Sequence, residues 1–129
     1  MIFRHHPAFL EELQNFIERH CPGKTTTEQT LMNLQNLFES HFCKRIPCFT
    51  NKHLGRAEDF GGYNVYWLHM VIPNSNLSRT QFPKAYFVIY NDFLSFLCLG
   101  SHLENYKDAK LHKLAVKRLE EMITIFSCS

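Results

Sequence analysis

Hydrophobic positions along the chain change period twice. Near the amino end Phe9, Leu10, Leu13, Phe16 and Ile17 recur at helical spacing, which predicts a helix opened by His6-Pro7 and stopped by Cys21-Pro22-Gly23. Glu11 and Glu12 sit near its positive end and Arg19 and His20 near its negative end, as the helix macrodipole favours. Thr25 with Glu28 reads as a capping box, and the helix it starts places Leu31, Leu34, Leu37, Phe38 and Phe42 on one face. A short breaker joins the two helices into a hairpin, whose apolar side must lie on another element. Met1–Arg4 ahead of them suits a short edge strand.

The period then shortens. Tyr63–Ile72 is rich in aromatic and branched residues and reads as a strand. Residues 73–84 form a polar loop, either a flap or a tolerated insertion. Ala85–Tyr106 reads as two apolar strands joined by an Asn91-Asp92 turn, broken at Gly100 and ending on a polar tip with His102 and Tyr106, followed by Lys107. Strands this apolar are buried on both faces. The helix hairpin takes one face, and the other is left for a substrate or a partner. From Asn105 to Phe126 helical spacing returns, with Leu111, Leu114, Ala115, Leu119, Met122 and Phe126 as its stripe. The expected fold is therefore α+β: a strand, a two-helix hairpin, a three-stranded antiparallel meander and a C-terminal helix, as a single domain over residues 1–129.

Composition narrows the classes. The chain has 129 residues, 45% hydrophobic and 14% aromatic, enough for a filled core and too apolar for a disordered segment. A net charge of +2 announces no global field toward nucleic acid, so any anion-binding surface is local. No secretory signal or apolar run of membrane-spanning length is present, and the five cysteines form an odd set without repeated close spacing. Both point to a cytoplasmic protein with reduced thiols and no membrane partner.

Candidate chemistry sits in three places. His41-x-Cys43-x4-Cys48-x4-His53 has ligand types suited to zinc, but its spacing fits no standard finger, and no metal is expected. Residues 44–61 carry Lys44, Arg45, Lys52, His53 and Arg56 and read either as a solvated connection or as a basic lip over a groove. The last helix brings Lys107, Lys110, Lys113, Lys117 and Arg118, either a solvated face or, beside His102 and Tyr106, a phosphate-binding surface. His69 reads as a satisfied structural residue within its strand and His112 as exposed, while His5 and His6 either border the groove or, more simply, cap the first helix.

The stretches IFRHHPAFLEELQNFIE, GGYNVYWLHMVI, KAYFVIYNDFLSFLCLGSH and NYKDAKLHKLAVKRLEEMI, in this order, resemble the RelE/ParE-type toxins of type II toxin–antitoxin systems over nearly the whole chain. The resemblance implies a toxin neutralised by a cognate antitoxin. The RelE-like branch cleaves mRNA in the ribosomal A site and so inhibits translation and arrests growth, whereas the ParE-like branch poisons gyrase without hydrolysing RNA. The family's cation or imidazole after the last strand falls on His102, and its C-terminal tyrosine on Tyr106. Its strand arginines would fall near Asn64, Tyr66 and Phe87, none of which is arginine. The cations that hold RNA would instead come from Lys52, Arg56, Arg79, Lys84, Lys107 and Lys110.

The chemistry itself is independent of the resemblance. Cleavage of RNA by its own 2′-hydroxyl needs in-line geometry, a proton acceptor, charge stabilisation at phosphorus and a proton for the leaving 5′-oxygen. Imidazole is matched to proton transfer at neutral pH, ammonium and guanidinium groups stabilise the developing charge, and a phenol can stack on a splayed base. The catalytic expectation is His102, Tyr106 and Lys107, with no metal or other cofactor, acting on mRNA in the ribosome. A gyrase-inhibiting toxin and a non-catalytic interaction domain on the same scaffold are the alternatives.

Overall fold

The computed structural model describes residues 2–43, 63–90, 93–104 and 107–127. The elements run β1 (Ile2–Phe3), α1 (Pro7–His20), α2 (Thr27–Cys43), β2 (Asn64–His69), β3 (Lys84–Tyr90), β4 (Phe93–Gly100) and α3 (Asp108–Ser127). The class is α+β, with three helices and one four-stranded mixed sheet among the described residues. Strand order is β1-β4-β3-β2, with β1 parallel to β4 and the other pairs antiparallel. No helix among the described residues is long and apolar enough to cross a membrane.

The start of α1 follows from its first residues. Pro7 occupies the first turn, where its missing N–H costs nothing, and the Nδ1 of His6 accepts a hydrogen bond from the Ala8 N–H at 3.0 Å. Phe9, Leu13, Phe16 and Ile17 are buried, and the helix stops at Cys21, just before Gly23 with φ of +72°. The cap of α2 is Thr26 and not Thr25, because Thr26 Oγ1 accepts from the Gln29 N–H at 3.1 Å. Thr25 is itself buried, its hydroxyl turned toward that of Thr30. Two adjacent threonines offer the same cap chemistry, and only the chain path chooses between them.

A single irregularity governs the sheet. Tyr86 pairs with Cys98 and Phe87 with Phe96, so Leu97 is an extra residue in β4, a β-bulge. The alternation of faces shifts there. Leu94 and Phe96 enter a first core with Phe9, Phe16, Phe38 and Phe87, under α1 and α2. Leu97 and Cys98 both enter a second core with Val65, Tyr86, Val88, Leu111, Ala115, Leu119 and Met122. The continuous apolar run is thus buried on both faces, as expected.

The structure corrects the expectation that the face opposite the helix hairpin is left open. α3 lies on that side and packs along β4 with Leu111, Ala115, Leu119 and Met122. The second strand is also shorter than its apolar run: Met70 and Ile72 stay buried beyond its end, and the Met70 N–H donates to the Pro83 carbonyl at 2.8 Å. The loop after it holds a 3-10 turn at Arg79–Gln81, initiated by Ser78, whose N–H donates to Gln81 Oε1 at 2.8 Å.

Three contacts join opposite ends of the chain. Arg118 binds both carboxylate oxygens of Glu12, at 2.6 and 3.0 Å, and donates to the Leu97 carbonyl at 2.9 Å. His6 Nε2 lies 2.7 Å from Glu121 Oε2, a hydrogen bond that holds the Glu121 carboxyl below the usual carboxylate range. The Phe96 N–H donates to His5 Nδ1 at 3.1 Å. Arg118 is therefore withdrawn from the basic face on which helical spacing places it.

Candidate functional site

One end of the sheet gathers the groups with most chemistry. β2 ends at His69, β3 begins at Lys84 and β4 ends at Gly100, and these three residues lie in register across the sheet. Neighbouring strands are about 4.8 Å apart, so the row is narrow. Lys84 Nζ sits 4.4 Å from the centre of the Trp67 ring and 5.3 Å from that of Tyr86. His69 meets Trp67 edge-on at 5.4 Å between ring centres, and its Nδ1 lies 3.4 Å from the Phe82 carbonyl. Period-2 alternation puts Trp67 and His69 on one face of β2, the α3 side of the sheet.

The chain then turns across this end. The buried Ser101 accepts from the Leu103 N–H at 3.1 Å and its carbonyl takes the Glu104 N–H at 3.0 Å, closing a 3-10 turn over His102–Glu104. Glu104 ties that turn to the end of α1, 2.5 Å from Arg19 Nη1; its carboxylate also lies 3.5 Å from the buried His20 Nε2, without a hydrogen bond between them. His102 is exposed, two residues beyond Gly100.

Lys107 and Lys110 follow, both exposed at the start of α3. A helix amino terminus is already the positive end of its dipole, so two ammonium groups there oppose the preference for helix stability. They strengthen a local positive potential that attracts anions. Within the row, Trp67, Lys84 and His69 bring together an aromatic face, an ammonium group and an imidazole, groups that can stack a base, hold a phosphate and move a proton.

Of the expected site residues, the fold brings Lys84 and His102 to this end of the sheet and puts Lys107 and Lys110 at the start of the helix that follows. Arg79 lies in the 3-10 turn of the β2–β3 loop. Tyr106, Lys52 and Arg56 lie outside the described residues, as do Cys48 and His53. Among the described residues no group of three or more His, Cys, Asp or Glu is placed to hold a metal ion.

Trp67 and His69 are the members that sequence reasoning missed. His69 is exposed rather than enclosed by its apolar neighbours, and it belongs beside Trp67 and Lys84. The available signal was the chain's one tryptophan followed two residues later by a histidine, hence on the same strand face. Phe87, where the resemblance to RelE/ParE-type toxins would put an arginine, is buried in the first core. Comparison of the chain with known protein families, characterised proteins and solved structures finds no match.

Proposed function

We propose that the chain is a RelE-like toxin, a ribosome-dependent endonuclease that cuts mRNA and is held in check by a cognate antitoxin in the cytoplasm. The observation that carries this reading is the row His69–Lys84–Gly100, with Trp67 beneath Lys84 and His102 just past the end of β4. The order of a strand, two helices, three strands and a helix supports a RelE-like arrangement.

In this reading Trp67 offers a π-face to an unstacked base, and Lys84, Lys107 and Lys110 hold the backbone. His102 takes the proton of the attacking 2′-hydroxyl as its oxygen bonds to phosphorus. The bond to the 5′-oxygen breaks, that oxygen receives a proton from Tyr106 or Lys107, and a 2′,3′-cyclic phosphate remains. Charge gathered at phosphorus in the transition state is met by the ammonium groups. The steps need acid and base alone. Programmed ribosomes incubated with the purified protein should yield mRNA cut within the A-site codon, and His102→Ala should abolish cutting while leaving the circular-dichroism spectrum intact. Cutting that survives in His102→Ala removes the assignment.

The buried Phe87 favours a second reading. A site without the strand arginines suits a gyrase-directed toxin or a non-catalytic interaction domain. Inhibition of supercoiling with no RNA cut supports the first of these; neither inhibition nor cutting leaves the second.

A further inference from the structure

Away from the sheet end, α1 and the start of α2 enclose a groove of about 600 Å³. Its floor is Leu10, Ile17 and Leu31, and its rim carries Glu11, Glu18 and Glu28. Glu11 and Glu18 are seven residues apart on one helix, so they stand about 10 Å apart along its axis. On the other side of the sheet, α3 exposes Lys110, Lys113 and Lys117, with the half-buried Leu114 among them. These positions are i, i+3, i+4 and i+7, one stripe of a helix, and Lys110 and Lys117 are again about 10 Å apart.

We propose that the groove receives the α3 lysine stripe of a second copy of this chain, so that the protein associates head to tail. Charge sign, spacing and an apolar centre match between the two surfaces. They lie on opposite faces of the sheet, so one two-fold interface cannot satisfy both, and the contact is heterologous, building an open chain or a ring of more than two copies rather than a closed dimer. The attraction is between exposed charges over a small apolar patch, so it is weak and sensitive to salt. The proposal does not rest on the nuclease reading.

Sedimentation velocity on the full chain tests it. At about 20 mM salt, where screening is weak, the weight-average mass should rise steadily with concentration without levelling at two copies, and it should return to that of one chain at about 0.5 M. Glu11→Lys with Glu18→Lys, and separately Lys113→Glu with Lys117→Glu, should each weaken association at least tenfold. Mixing the two variants should restore it, since each then carries the complement of the other. Glu39→Lys with Asn36→Lys and Asn76→Lys, all at exposed positions, changes net charge as the first pair does but leaves both the groove and the α3 stripe intact, and should associate like the parent. A chain that stays monomeric at low salt, a mixture that fails to associate, or a control that loses association as fully as the groove variant each overturns the proposal. Binding of an unrelated lysine-rich helical peptide by a monomeric chain would also overturn it.

Discussion

Arg118 in α3 grips Glu12 in α1 through both carboxylate oxygens although 106 residues separate them, and the same guanidinium takes the carbonyl of Leu97. Leu97 is the residue that the bulge leaves without a partner in β3. One side chain thus joins the helices on the two faces of the sheet and satisfies the backbone where the ladder is interrupted. A guanidinium suits this because its planar fork donates in several fixed directions, which an ammonium cannot do.

Arg118→Ala should destabilise the fold by about 3 kcal/mol, because it strands a partly buried carboxylate and a carbonyl together. Lys113→Ala, on the exposed stripe of the same helix, should change stability by less than about 0.5 kcal/mol. Arg118→Lys should recover only part of the loss. Urea unfolding midpoints compare the three, and equal losses for Arg118→Ala and Lys113→Ala would remove the structural role of the pair.

His5 gives stability a pH dependence of definite sign. Burial lowers its pKa from 6.5 to about 4. Its Nδ1 already accepts from the Phe96 N–H and its Nε2 is buried without a partner, so a proton added at Nδ1 would break that bond. The unfolded chain takes up this proton near pH 6.5 and the folded chain only near pH 4. Stability from this group is therefore complete above about 6.5 and falls as the pH drops to about 4, by on the order of 3 kcal/mol. His5→Asn keeps an acceptor but cannot titrate in this range. Unfolding free energies at pH 7, 5.5 and 4.5 should show a smaller acid loss in His5→Asn than in the parent. Parallel pH curves would sink the assignment.

Thr26→Ala should cost about 1 kcal/mol by leaving the Gln29 N–H uncapped, and Thr26→Ser should cost only a small part of that. Thermal unfolding of the two variants separates the cap from the rest of the side chain. A serine variant as unstable as the alanine variant would place the effect in the methyl group instead.

On the proposed RNA-cleaving reading, Trp67→Ala should weaken binding of single-stranded RNA by about 10- to 100-fold, the value of one base stacked on an aromatic ring. Lys84→Ala should weaken all sequences alike and lower the slope of log K against log salt by about 0.7. Fluorescence anisotropy with a labelled oligonucleotide reads both, with the exposed Lys24→Ala between α1 and α2 as control. An unchanged salt slope in Lys84→Ala would mean that this ammonium does not touch the backbone.

Periodicity carried the sequence reading well where the decisive contacts are local. The stripe Phe9, Leu13, Phe16 and Ile17 marks α1, Pro7 and Gly23 bracket it, and Gly100 ends β4 as its place after an apolar run suggests. The positions of His102, two residues past β4, and of Lys107, at the start of α3, were legible because each borders an element that the sequence pattern marks. Trp67 and His69 were not, since their closeness to Lys84 depends on strand register. Arg118 shows the same limit, being one of several cations on α3 by sequence and the only one of the described five turned inward to Glu12 and Leu97.

What the chain determined by itself is the set of elements, because helical and strand periods, proline and glycine act over a few residues. The tertiary structure alone decided the bulge at Leu97, the cap at Thr26, the seating of α3 on the second face and the row His69–Lys84–Gly100. Each of these turns on which of several equivalent donors, registers or faces best fills space and satisfies polar groups contributed from far along the chain.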